Sequence, residues 1–277
     1  MDNQQVAFHF LQDIAADLSK REVTFPTFAN ATLKVRKALE DPAIASERIA
    51  HVIASEPLLA AKLVQIANSA AVNPGGKPVS DVRSAITRVG FDTVRSVAVA
   101  VAVDQLRAAD EMRKYASRAE IAWSHSLQVA ALAFVIAQKM TRLNPEEALF
   151  AGLVHDIGYF YLLSQAARYP ELEADPAALD AVLADWHAAI GQTLLHSFGL
   201  SEATLAAVAE HENGHYQMPA RTISDVVTLA NLVAAQTNPI HLRAGATPPG
   251  KLNEPELFKT LAEASGEIRS LVTALRQ

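Results

Sequence analysis

The sequence predicts an all-α protein. Half of the 277 residues are hydrophobic while only 6% are aromatic, alanine supplies much of the apolar share, and helix start and stop signals recur along the chain. Alanine favours closely packed helices, whereas sheets draw on β-branched and aromatic residues. The chain is long enough for one large core or for two packed halves.

The elements follow in order. "MDNQQVAFHFLQDIAADL" is amphipathic and acidic, unlike a signal peptide, and reads as an N-terminal helix over residues 1–24. "FPTFANATLKVRKAL" places Phe28, Thr32, Val35 and Leu39 on one helical face, with Lys34, Arg36 and Lys37 as a solvated one. "ASERIAHVIA" offers Ser46 as N-cap, and "EPLLAAKLVQIANSA" carries Pro57 in a first turn. Asn68 and Ser69 either cap the end of that helix or belong to a partner surface. "SDVRSAITRVG" starts at Ser80 or Asp81 and stops at Gly90. "FDTVRSVAVAVAVDQL" alternates valine and alanine, yet with no partnering strand elsewhere it reads as a buried helix.

Asn144-Pro145-Glu146-Glu147 combines an N-cap, an N1 proline and first-turn acids, a strong start signal. Asp175-Pro176 and Ser201-Glu202 open two further helices, and Gly199 closes the one between them. "RTISDVVTLANLVAAQ" is apolar nearly all round and therefore central. Residues 238–250 form a proline- and glycine-rich connector to a last helix at about 254–275.

Charge and composition narrow the partners. The net charge is −6, and the acidic excess lies in the second half, which disfavours a nucleic-acid surface. No apolar run of membrane-spanning length stands out. The absence of cysteine excludes disulfides and thiolate metal sites and fits a cytoplasmic protein.

The chemistry centres on "AGLVHDIGYF". Two ionisable groups at the end of an apolar run destabilise a fold unless a metal or hydrogen-bond partner satisfies them. Adjacent helical residues point about 100° apart, so His155 and Asp156 could serve one ion only where a helix ends, and "DIGY" supplies that break. His125 sits in the row Ile121–His125–Val129–Leu132–Ile136, and His187 leads the row His187–Ile190–Leu194–Phe198. His196 falls off the latter, toward solvent. His211 ends a helix at "AVAEHENGH", and Asn231 is a polar group inside an apolar helix. Taken singly, each is explained by a local hydrogen bond in the core. As a set on separate helices they form a convergent cluster whose imidazole and carboxylate donors suit Fe, Mn, Zn or Mg.

The ordered series "WSHS … LFAGLVHDIGYFYLL … WHAAIGQTLLHSFGL … AEHE … LANLVAA" resembles the HD phosphohydrolase superfamily. Upstream, "FPTF", "IASEPLLAAKLVQIANSA" and "VSDVRSAITRVG" resemble the front of an HDOD domain, the HD-related output domain of bacterial signalling. The resemblance implies an HDOD domain over 25–236, with a front helical half (25–115) packed on an HD-like half (116–236). Residues 237–277 would then be linker and C-terminal helix. It implies metal-ligand positions at His125, His155, Asp156, His187 and His211, and Asn231 where an active enzyme carries an acidic ligand. Asp225 lies one and a half turns back from Asn231 and faces elsewhere. Tyr159 stands where cyclic-dinucleotide phosphodiesterases have lysine, and their paired histidines reduce here to His211, flanked by Glu210 and Glu212.

These departures lower divalent-ion affinity. The expectation is a non-catalytic signalling module acting on a protein partner, with low metal occupancy and a homodimer left open. The alternative is a metal-dependent phosphohydrolase acting on a cyclic dinucleotide or nucleotide, with Asp156 as the catalytic residue. A third reading is a scaffold in which the histidines merely hydrogen-bond.

Overall fold

In the computed structural model, residues 3–19, 50, 53–54, 57–107, 110–197, 200–242 and 252–276 are described. The front segment with Phe28, Thr32, Val35, Leu39, Lys34, Arg36, Lys37 and Ser46 lies outside them, as do Phe198 and Gly199. Among the described residues the chain is helical and contains no strand.

Helix α1 (Asn3–Ser19) buries Val6, Phe10 and Ile14 on one face, the spacing expected of an amphipathic helix. Helix α2 (Pro57–Ala67) begins at the expected proline and buries Leu59, Leu63 and Ile66. Asn68 does more than cap it. Its Nδ2 donates to the Val79 carbonyl and its Oδ1 accepts from the Val79 N–H, both at 2.8 Å, which fastens the next extended segment to the helix end.

Helix α3 (Val82–Arg107) is capped by Asp81, whose carboxylate accepts the Ser84 N–H at 2.8 Å. The expected stop at Gly90 is instead a kink. Its φ of 78° and ψ of 169° interrupt the helix, and the Val-Ala run continues it to Arg107.

After a 3-10 turn (Asp110–Tyr115), helix α4 (Ala116–Met140) forms the middle of the molecule, buried nearly all round between Leu127 and Ala137. Against the expectation of no apolar run of membrane-spanning length, the stretch Met112–Met140 is long and apolar enough to cross a membrane. Because 78% of its most apolar window is covered by protein, it behaves as a core helix. The row through His125 is buried at Val129, Leu132 and Ile136, but Ile121 is 40% exposed. Steps of four residues drift about 40° around a helix, so the row leaves the buried face at its N-terminal end.

Helix α5 (Pro145–Val154) starts with Asn144 accepting from the Glu146 N–H and lies directly on α4. The close approach requires Gly152, where a Cβ would fall 2.9 Å from the Ala130 Cα. Helices α6 (Ile157–Ala166), α7 (Pro170–Ala174) and α8 (Pro176–Ser197) follow, with Asp175 capping α8 through the Ala177 and Ala178 N–H groups. Helix α9 (Glu202–Glu210) is capped by Ser201, and α10 (Ile223–Val233) by a reciprocal box of Thr222 and Asp225. Asp225 is thereby spent on backbone: its oxygens accept from the Gln217, Arg221 and Thr222 N–H groups.

The expected last helix is two, α11 (Pro255–Glu263) and α12 (Ser265–Arg276), broken at Ala264 before the weak helix formers Ser265 and Gly266. Helix α12 bridges α2 and α4. The buried Lys62 of α2 donates to the Leu275 carbonyl at 3.0 Å, Ser270 Oγ accepts the Ala70 N–H, and Arg276 reaches Ser124 of α4. At the other side α1 lies on α7 and α8, with Phe10 edge-on to Tyr169 and Asp13 accepting from the Tyr169 hydroxyl.

Candidate metal centre

The helix break between α5 and α6 creates the site. Helix α5 ends at Val154, His155 still has helical dihedrals, and Asp156 (φ −97°, ψ 16°) turns the backbone before α6 begins at Ile157. The turn lets the two side chains converge, with His155 Nε2 3.3 Å from Asp156 Oδ2. Gly158 then allows α6 to lie against α8 at the level of His187. A Cβ there would sit 2.0 Å from the His187 carbonyl oxygen and 2.6 Å from the Gly191 nitrogen. The "IG" after "HD" is therefore a packing requirement that delivers His187 to Asp156, 3.6 Å away through Nε2 and Oδ1.

His211 arrives from the end of α9, with its Nε2 3.4 Å from Asp156 Oδ1 and 3.1 Å from His187 Nε2. His125 of α4 stands edge-on to His155, with ring centroids 5.2 Å apart. The donor atoms form two triads, His125–His155–Asp156 and Asp156–His187–His211, each with its atoms within 4.8 Å of one another, and Asp156 is common to both. His125, His155 and Asp156 are fully buried, while His187, His211 and Asn231 are 1% exposed. His196 faces solvent.

Three of the imidazoles are pinned. Nδ1 of His155 donates to the Gly152 carbonyl (2.7 Å), that of His187 to Leu183 (2.8 Å) and that of His211 to Val208 (2.8 Å). A carbonyl can only accept, so each Nδ1 carries a proton and each Nε2 faces the centre, the arrangement that presents imidazole to a metal. Asp156 has the complementary property: neither oxygen has a hydrogen-bond partner, and neither does His155 Nε2. Buried polar atoms are nearly always satisfied, so this unsatisfied set fits a cation.

His125 is engaged differently. Asn231 donates through Nδ2 to the His211 carbonyl (3.2 Å) and to Glu212 Oε1 (3.1 Å), which turns its Oδ1 toward His125 Nε2 at 2.9 Å. His125 Nε2 is therefore the donor, and Thr237 Oγ1 lies 3.1 Å from its Nδ1.

Burial dominates the electrostatics and is offset unevenly. It lowers His125 to about 3, with the His155 charge acting in the same direction. It also lowers His187. At His211 burial is outweighed by Asp156 and Glu212, which leave that imidazole raised. Burial would raise Asp156, but the surrounding imidazoles, His155 first, hold it well below the usual carboxylate range. Glu212 is likewise held low, by His241 and His211 against its burial.

Tyr159 is buried behind the centre, its hydroxyl pushed up to about 12, chiefly by burial. Glu210 turns away to accept from Ser224 Oγ at 2.6 Å. Sequence reasoning missed Thr237, Asn238 and His241, all in the segment expected to be a plain connector. Asn238 Nδ2 donates to Glu212 Oε1 (2.7 Å) and Asn231 Oδ1 (3.1 Å), and His241 Nε2 lies 3.4 Å from Glu212 Oε2. The only available signal was a polar Asn and His just past the end of an apolar helix.

Comparison with known proteins agrees with the architecture. The model of the HDOD domain matches residues 25–214. An uncharacterized protein of Treponema pallidum (strain Nichols) is 24% identical over 235 residues, and the aligned region spans 79% of this chain but 44% of that protein. A crystal structure from Shewanella amazonensis SB2B, provisionally assigned as a metal-dependent phosphohydrolase, superposes with a TM-score of 0.75 at 21% identity, covering 99% of this chain and 100% of its own. An HDOD domain protein of unknown function from Geobacter sulfurreducens gives 0.59 at 19% identity, covering 99% and 97%. A protein of Marinobacter aquaeolei VT8, provisionally assigned to signal transduction, gives 0.58 at 18%, covering 100% and 67%. At such identities the structural likeness speaks to the fold.

Proposed function

This chain belongs to the HDOD domain family, and from that premise we propose that it is a non-catalytic regulatory module of a cytoplasmic signalling pathway. It would act by binding a partner protein and keep its polar centre as a tie between helices, able to hold a divalent ion. The observation that carries this reading is Asn231. At the position where the resemblance calls for an acidic ligand stands a neutral amide, hydrogen-bonded to His125 Nε2 and thereby occupying a nitrogen of the first triad.

The remaining donors still fit an ion. His155, His187 and His211 present Nε2 atoms around the unsatisfied oxygens of Asp156, an imidazole-rich set that suits Fe, Mn or Zn better than Mg. A bound ion would supply Lewis acidity toward water or a phosphate oxygen. The chain's own residues argue against that use. The donor side chains are shut from solvent, and among the described residues none of their hydrogen bonds and ion pairs involves a lysine or arginine suited to a phosphate.

The second reading is a metal-dependent phosphohydrolase. It is favoured by the two triads sharing one carboxylate and by the description given to the Shewanella structure. Elemental analysis of the purified chain beside hydrolysis assays with a cyclic dinucleotide and a generic phosphodiester separates the two. Low metal occupancy without turnover is expected. Metal-stimulated turnover that disappears in Asp156→Ala establishes the hydrolase instead.

A further inference from the structure

We propose that the segment following α10, from the 3-10 turn Ala235–Thr237 to Leu242, is the closure of the buried centre, and that Asn238 and His241 are the positioning residues holding it shut. The inference rests on the reading above in one respect, that the centre is able to hold an ion.

Three side chains of this short segment engage the polar network. Thr237 lies on His125, Asn238 bridges Asn231 and Glu212, and His241 pairs with the second oxygen of Glu212. Asn238 is fully buried, and its Oδ1 folds the segment by accepting the Ile240 N–H at 2.8 Å. The histidine and aspartate donors are at most 1% exposed, whereas the side chains of Glu212 and His241 retain 22% and 15%. The network thus approaches solvent at Glu212, and this segment holds both oxygens of that carboxylate.

The attachment is of a kind that opens. It consists of side-chain hydrogen bonds and one buried apolar side chain, Ile240, with Leu242 left 57% exposed. His241 Nδ1 is buried without a partner and would gain water on opening, which lowers the free-energy cost of release. Segments with few apolar contacts open locally far more often than the fold as a whole.

Acylation of the full-length chain by diethyl pyrocarbonate, followed by peptide mass spectrometry, reads the closure without needing a metal. In the wild type, His187 and His211 should label slowly beside the exposed His196. Loss of the Glu212 contact in His241→Ala, or of the three Asn238 side-chain hydrogen bonds in Asn238→Ala, should raise their labelling rates about tenfold or more. His241→Gln, which keeps an N–H donor toward Glu212, should stay within about twofold of wild type. Ser270→Ala, which removes a hydrogen bond of α12, should change nothing at the centre. Unchanged rates in His241→Ala and Asn238→Ala overturn the closure, as does an equal rise in Ser270→Ala. Cobalt(II) uptake, followed by visible absorption, tests the ion separately. Faster uptake in the two alanine variants with the wild-type final spectrum is expected, whereas a changed spectrum would make these residues ligands and overturn their positioning role. No uptake in any form defeats the ion while the labelling still decides the closure.

Discussion

Asp156 concentrates the centre's chemistry in one side chain, a buried carboxylate that faces three Nε2 atoms and has no hydrogen-bond donor of its own. Asp156→Ala leaves His155 and His187 without the carboxylate they face, with Glu212 remaining only beside His211. The expected loss is roughly 1–3 kcal/mol, the range for stranding buried polar partners. Adding Mn or Zn should raise the melting midpoint of the wild type and leave that of the variant where it was. A melt of Asp156→Ala that coincides with wild type, with and without metal, would mean that the cluster ties nothing together. The convergence of these residues was legible because helical phase and the "DIGY" break are local properties of the chain. The proton positions were not, because they depend on carbonyls one turn back and on the orientation that Glu212 imposes on Asn231. Nor were Asn238 and His241, since a proline-rich stretch has no periodicity from which to read a face.

Helix ends and crossings decide whether those residues meet. At Gly158 an added methyl would strike the backbone of α8, which cannot swing aside as a side chain could. Gly158→Ala should cost about 3 kcal/mol, the upper part of the usual overpacking range, read as a shift of the denaturant midpoint. Gly191→Ala, whose Cβ would meet a valine methyl at 3.1 Å and the Gly158 nitrogen at 3.2 Å, both looser than the contacts at Gly158, should cost less. The box that starts α10 gives a pH signature. Asp225 is held below its ordinary value because the Arg221, Gln217 and Thr222 hydrogen bonds outweigh its burial. A carboxylate lowered on folding stabilises above its unfolded pKa, near 4, and the contribution disappears as pH falls through the lowered folded value. Asp225→Asn should therefore melt below wild type at pH 7, by about 1 kcal/mol, with the gap closing toward pH 2. Helix starts were readable from Asn144, Asp175 and Ser201, because caps are local. The kink at Gly90 and the break at Ala264 were not, because the packing that continues α3 and divides α11 from α12 is tertiary.

At the scale of the molecule, the first and last helices bind distant parts of the chain together. Leu257, Leu261, Leu271 and Leu275 of α11 and α12 are buried, at about 1.5–3 kcal/mol each. Their sum is comparable to the whole stability of a typical domain, about 5–15 kcal/mol. Removing residues 252–277 should abolish cooperative melting and make the rest sensitive to proteases, although the family match ends at residue 214. A truncated chain that melts with the wild-type midpoint would show these helices to be an appendage. The sequence carried the all-α class because composition and caps agree along the chain. It did not carry the bridging role of α12, which depends on contacts such as Lys62 with Leu275, 213 positions apart.

The glycine after the histidine–aspartate pair answers to the carbonyl of His187 and not to any reacting group. A descendant of this chain that had abandoned every trace of hydrolysis would remain obliged to keep it, under purifying selection for a helix crossing alone. The short signature most readily taken as the mark of an enzyme is, at this letter, inherited as architecture, and its persistence in a lineage would be silent about turnover.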